Sequence, residues 1–158
     1  GVDMIEHCTF QTESGSEPIP EVISDIISSQ TIVSPTLTGS LALQKGTELY
    51  EKRSELTRQL VDGGAKIVMS TDCGIPGTPH EYLSHALETM RDMSGLSAIE
   101  TLRLATSTSA HLLSLKDRGK IKVGFRADLI ALNGDPTNNL AALREINFVM
   151  SGGSFVHL

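Results

Sequence analysis

Two side chains able to hold a metal ion or move a proton stand just after stretches that read as β-strands. His7 closes "GVDMIEH", in which the apolar Val2, Met4 and Ile5 are interleaved with Asp3 and Glu6. Asp72 closes "KIVMSTD", where an apolar run over Ile67, Val68 and Met69 gives way to Ser70 and Thr71. Imidazole nitrogen and carboxylate oxygen are both good zinc ligands. In α/β folds the side chains at the carboxyl ends of parallel strands surround the mouth where ligands bind. A catalytic zinc takes about three protein ligands plus water, so this pair alone does not make a site. A carboxylate after a strand is also a common turn-former or cap, and a lone histidine is often an ordinary packed or surface residue.

The neighbouring residues widen or narrow these options. Each candidate is followed by cysteine, in "EHC" and "TDC", which leaves a His/Cys/Asp/Cys cluster conceivable. Adjacent strand residues point to opposite faces, however, so Cys8 and Cys73 read better as small packed residues beside the mouth. "HEYLSH", residues 80–85, invites comparison with the H-E-x-x-H zinc helix. Its histidines are five positions apart, about 140° around a helix, and cannot share one ion as an i,i+4 pair does. His80 differs from His85, His111 and His157 because it sits where the loop after Asp72 meets the next helix, close to the same mouth. It is the candidate for contact with a substrate. "CGIPGTP" carries neither the phosphate-loop nor the dinucleotide glycine spacing.

The elements that must position these groups alternate. "PEVISDIISSQ" (20–30) has Val22, Ile23, Ile26 and Ile27 at helical spacing behind Pro20. The β-branched "TIVSPTL" (31–37) predicts a second strand, and "TESGSEP" (12–18) a loop. A helix follows within 46–64, with Leu49, Leu56 and Leu60 on one face, Glu48 and Lys52 at i,i+4, and Gly63-Gly64 as its stop. The third strand is expected over 66–71 and another helix from His80 to Met93, ended by Gly95. Ser97-Ala-Ile-Glu100 is a capping box opening a helix through about Thr106. Three strand–helix alternations argue for parallel βα units. After a boundary near 116, glycine-punctuated short strands predict a small antiparallel unit, with Gly152-Gly153 in a hairpin turn.

Composition sets the outer limits. With 158 residues, 39 % hydrophobic and 20 % charged, the chain has the make-up of a globular protein with a core. A net charge of −6 argues against nucleic acid and anionic membrane as partners. No apolar run approaches the roughly 18 residues of a membrane span. Two cysteines are too few for a disulfide framework and fit a reducing compartment, so a cytoplasmic location is expected.

The fragments "GVDMIEHCTF", "IVSPTLT", "GAKIVMSTDCG", "SAIETLRLATSTSAHLLSL", "DRGKIKVGFRADLIALNGDP" and "VMSGGSFV" span nearly all of the chain. In this order they resemble the metal-dependent amidohydrolases, specifically the imidazolonepropionase-like and prolidase-like members. The resemblance implies a (β/α)8 TIM-type barrel with one or two divalent metals, zinc by preference, at its mouth. This chain would supply the C-terminal portion, the last three βα units over residues 1–115, plus part of a small β-sandwich over 116–158. It implies that His7 is the strand-six metal ligand. Asp72 would be the strand-eight aspartate that both binds metal and accepts a proton from the attacking water, and His80 a loop residue facing substrate.

The implied activity is hydrolysis of a C–N bond in a small amide, cyclic amide or dipeptide. The family's His-x-His, bridging lysine and strand-five histidine have no counterpart in this chain, Cys8 stands where glycine is usual, and "TDCG" replaces "TDAG". The chain is therefore expected to be a piece of a longer enzyme, inactive by itself, and to associate with the remainder of the barrel or as a homo-oligomer. The competing expectation is a non-catalytic α/β binding or assembly module that keeps the family skeleton.

Overall fold

The computed structural model describes residues 1–13 and 15–157. Strand β1 (Met4–Glu6) leads into a two-residue hairpin, β2 (Gln11–Thr12) and β3 (Gly15–Ser16), where the polar composition predicted only loop. Helix α1 (Pro20–Ser29) begins at the proline, whose fixed φ and missing N–H suit a first turn. It buries Ile23 and Ile26, then delivers the chain to β4 (Ile32–Ser34).

A 3₁₀ segment, Gly39–Gln44, connects β4 to α2 (Glu48–Asp62), whose first turn is capped by the Thr47 hydroxyl accepting from the Tyr50 N–H at 3.2 Å. Lys52 and Glu48 pair at 2.9 Å as their spacing predicts. The buried face runs through Tyr50, Leu56 and Leu60, while Leu49 lies exposed. Tyr50, Ser54 and Thr57 lie at i, i+4 and i+7 on the buried face with Leu56 and Leu60, so the phase of the helix turns Tyr50 inward and Leu49 outward. Gly63 has no side chain where Ile27 of α1 needs room: a Cβ there would come to 2.4 Å of the Ile27 Cδ1.

β5 (Lys66–Ile67) is shorter than the strand expected over 66–71. Its ladder extends one step further through the Val68 N–H to the Val33 carbonyl (3.0 Å), after which Met69 and Ser70 turn to side-chain partners. The three strands form one parallel sheet in the order β1-β4-β5, with Met4, Ile32 and Lys66 in register. Parallel strands in one sheet end at one rim, so the segments after Glu6, Ser34 and Ile67 are brought side by side.

A 3₁₀ turn at His80–Tyr82 precedes α3 (Leu83–Ser94), which ends on Gly95 in the left-handed conformation. Met90 and Met93, both without exposed surface, fill the space between α2, α3 and the sheet. Helix α4 (Ala98–Arg103) opens with the reciprocal Ser97–Glu100 box. It does not stop near Thr106 but passes through a π turn, Leu104–Thr108, into α5 (Ser109–Leu112). The widened turn carries Ser109 to the sheet, where its hydroxyl donates to the Leu104 carbonyl (2.6 Å) and accepts from the Met69 N–H (2.9 Å). The backbone left without a ladder after β5 is satisfied in this way, a role for a π bulge that sequence spacing does not show.

The Glu100 carboxyl is held below the ordinary glutamate value, first by the Ser97 hydroxyl and then by the Ser97 N–H. A lowered carboxyl pKa stabilises the fold above its unfolded value and ceases to do so as pH falls through the folded one. Ser97→Ala is expected to cost about 1 kcal/mol near neutral pH. The gap between variant and parent should narrow in acid as Glu100 protonates. Thermal melts of both proteins across pH check this, and a gap that does not change with pH would exclude the reciprocal box as its source.

The antiparallel tail consists of β6 (Leu129–Leu132), β7 (Ile146–Ser151) and β8 (Ser154–Val156) in that order. Its hairpin turns at Gly152 (φ 58°) and Gly153 (φ 86°), the positive-φ positions that side chains avoid. Residues 116–128, expected to carry short strands, form turns instead. The tail shares no strand pair with the parallel sheet among the described residues. It is fastened through the 3₁₀ segment Leu140–Arg144. Leu140 is wholly buried with Leu87 and Ala98, and Arg144 meets Glu88 at 2.9 Å. No helix among the described residues is long and apolar enough to cross a membrane.

Candidate active site

The rim where the three parallel strands end is built on unusual backbone. After β1, the Cys8 N–H returns to the Glu6 carbonyl at 2.8 Å, closing a three-residue turn centred on His7 at φ 65°. This γ-turn geometry is rare and strained. After β4, Thr36 has φ 48°, an outlier for a β-branched residue, and after β5, Asp72 has φ 55°. Left-handed non-glycine residues cost on the order of 1–3 kcal/mol each and cluster at functional sites, where surrounding structure holds them in place. One follows each strand, at His7 directly after β1, at Thr36 two residues past β4 and at Asp72 five past β5; Cys8, Phe10, Gln30 and Ser114 also have positive φ.

Hydrogen bonds tie these ends together. The His7 N–H donates to the Ser34 carbonyl (2.8 Å), and the His7 ring Nδ1 lies 2.7 Å from the Thr36 Oγ1. The Ser70 hydroxyl accepts from both the Ser34 hydroxyl (2.8 Å) and the Thr36 N–H (2.9 Å). One polar seam therefore runs from β1 through β4 to the chain after β5, two residues short of Asp72. Asp72 itself is exposed, and its carboxylate has no hydrogen bond or ion pair among the described residues. A carboxylate serving only as a turn-former would bond a nearby N–H, so the strained φ at Asp72 is not explained by a cap.

The cysteines do not complete a donor set. Cys8 turns into the core, and desolvation pushes its thiol pKa up, which disfavours the thiolate a metal needs. Cys73 is half-buried and its sulfur accepts from the Thr71 hydroxyl at 2.9 Å. Among the described residues no three His, Cys, Asp or Glu side chains come together to hold an ion, so the four-residue cluster left open by the sequence does not form. His7 and Asp72 are one imidazole and one carboxylate, each chemically suited to a divalent ion. With no third donor beside them among the described residues, they are at most part of a donor set.

His80 lies on the far side of the loop that follows Asp72. A Cβ on Gly74 would come to 3.5 Å of its Nε2. The ring also lines a mainly apolar groove of about 580 Å³ between the start of α3 and the tail, with Tyr82, Leu87, Ile130 and Arg144 among its walls. That groove does not include Asp72 or His7. A separate narrow crevice beneath His7 is lined by Cys8, Pro35, Leu37 and Arg53. Burial lowers the Arg53 pKa, and no carboxylate among the described residues pairs with it. The structure thus joins His7 directly to Thr36 and Ser34, and through them to Ser70, while Asp72 stands two residues beyond Ser70 and His80 beside Gly74 of the loop that follows. His85, on α3, packs its ring 5.0 Å from Tyr82. Thr36, Ser70 and Ser34 were not singled out from the sequence. The available signal was a hydroxyl at or just beyond the end of each of two predicted strands.

A three-stranded parallel sheet flanked by helices, with His7 following one strand and Asp72 beyond another, makes this an α/β protein. The match to the amidohydrolase family covers residues 1–156, and the chain belongs to that family. An imidazolonepropionase from Deinococcus deserti is 35 % identical over 85 residues, 53 % of this chain and 21 % of that relative. The imidazolonepropionase of Deinococcus radiodurans is 32 % identical over 97 residues, 61 % of this chain and 23 % of its own length. Among solved structures, a Xaa-Pro dipeptidase with bound methionine in its active site superposes with a TM-score of 0.80 at 26 % identity. That superposition covers 100 % of this chain and 40 % of the dipeptidase. The chain thus aligns with well under half the length of each of these proteins.

Proposed function

We propose that this chain forms the last three βα units of an amidohydrolase barrel together with part of its small β-sandwich. The whole protein would hydrolyse a C–N bond in a small amide, cyclic amide or dipeptide. What supports the reading is the placement of His7 and Asp72 after two strands of one parallel sheet, each on left-handed backbone. Two of the similar proteins, an imidazolonepropionase and a Xaa-Pro dipeptidase, bear names that fall within this substrate class.

His7 and Asp72 would hold a divalent ion, zinc by the chemistry of the two donors. When bound, such an ion brings the pKa of water from about 15.7 toward about 7 and polarises the scissile carbonyl. Asp72, with no internal partner for its carboxylate, accepts the proton of the attacking water and returns it to the leaving nitrogen. His80, across the same loop, contacts the substrate.

The test is metal content and turnover of the full-length protein on a panel holding imidazolonepropionate, Xaa-Pro dipeptides and N-acyl amino acids. Stoichiometric zinc and chelator-sensitive release of product from at least one of these is expected. A full-length protein that binds no metal and cleaves none of them would leave the non-catalytic binding module as the better account.

A further inference from the structure

We infer that Thr36 is the positioning residue for His7: its side-chain oxygen accepts the Nδ1 proton, leaving the Nε2 lone pair free to face the rim. This rests on the reading of His7 as a metal ligand and goes beyond it by assigning the tautomer and the residue that sets it. A neutral imidazole carries one proton on two nitrogens, and a threonine hydroxyl can donate or accept, so with Nε2 given to an ion the proton belongs on Nδ1 and the hydroxyl accepts it. The Thr36 Oγ1 stands 2.7 Å from Nδ1, and no described residue bonds the Nε2.

Thr36 is itself held in place. Its N–H is bound by the Ser70 hydroxyl at 2.9 Å, and the same hydroxyl accepts from Ser34. Pro35 and Leu37 on either side are buried, Leu37 to 1 % exposure. A β-branched residue at φ 48° is retained against its own preference. The seam gives that strain a use, because it holds an oxygen where the ring of the neighbouring strand end can reach it. Outer partners of this kind, when removed, weaken metal binding by about 10- to 100-fold.

The experiment compares the full-length protein with Thr36→Val, which keeps the branched shape and removes the hydroxyl, and Thr36→Ser, which restores it. The readouts are the ¹⁵N shifts of the His7 ring nitrogens at a pH where the ring is neutral, assigned by difference against His7→Gln, and zinc affinity by titration. The parent and Thr36→Ser should show a protonated Nδ1 and a bare Nε2. Thr36→Val should lose that pattern and bind zinc about 10- to 100-fold more weakly, with its circular dichroism unchanged. A parent protein with the proton on Nε2 would overturn the inference, as would a Thr36→Val protein with the parent's tautomer. If no variant takes up zinc, the hydrolase reading fails, and the nitrogen spectra alone decide for or against Thr36.

Discussion

Asp72→Asn in the full-length protein is expected to lower kcat by about 10²- to 10⁴-fold, the range a positioned general base contributes. The substitution is close to isosteric, and asparagine tolerates the left-handed backbone at φ 55° at least as well as aspartate. Nothing else in the described structure depends on the carboxylate, which is exposed and unpaired there. Stability should therefore stay within about 0.5 kcal/mol of the parent, as for other surface changes. Steady-state kinetics on the best substrate, with a thermal melt as control, separates the two effects. A variant that turns over near the parental rate would remove Asp72 from the chemistry while leaving the family assignment untouched.

Leu140→Ala is expected to cost about 2–5 kcal/mol, as truncating a buried leucine commonly does. Leu140 has no exposed surface and fills the contact between the tail and Leu87 and Ala98 of α3 and α4. The Arg144–Glu88 pair beside it is partly solvated and worth at most about 1 kcal/mol. The apolar contact therefore dominates. Chemical denaturation measures the loss. Hydrogen exchange should show β6 to β8 opening before the parallel sheet. A loss below about 1 kcal/mol, or uniform loosening of both sheets, would show that Leu140 is not what holds the tail.

Most of the architecture could be read from local pattern because its causes are local. Pro20 at a first turn, the Ser97–Glu100 box, Gly95 as a left-handed stop and Gly152-Gly153 as a hairpin turn each act within four residues. The readings that needed revision fell where distant partners intervene. The strand after Lys66 is short because the Met69 N–H bonds to the Ser109 hydroxyl rather than to a ladder. The helix after Ser97 runs on to Leu112 because a π turn is accommodated to send Ser109 to that backbone. Leu49 shares the period of Leu56 and Leu60, yet the core uses Tyr50. For the site, residue type and position at strand ends singled out His7 and Asp72. Thr36 and Ser70 are unremarkable as letters and gain a role only from what lies within 3 Å of them.

By itself the sequence determined the three parallel strands with their crossover helices and the antiparallel tail with its Gly152-Gly153 hairpin. These follow from hydrophobic period, capping chemistry and the need of parallel strands for a crossover helix. Only the tertiary structure decided that three strand ends meet in one hydroxyl seam, that Cys8 turns inward while His7 stays at the surface, and that the backbone beneath both candidate ligands is left-handed. Those features depend on contacts between residues some 30 to 40 positions apart, and no periodicity along a chain encodes which of its distant hydroxyls will face a given ring.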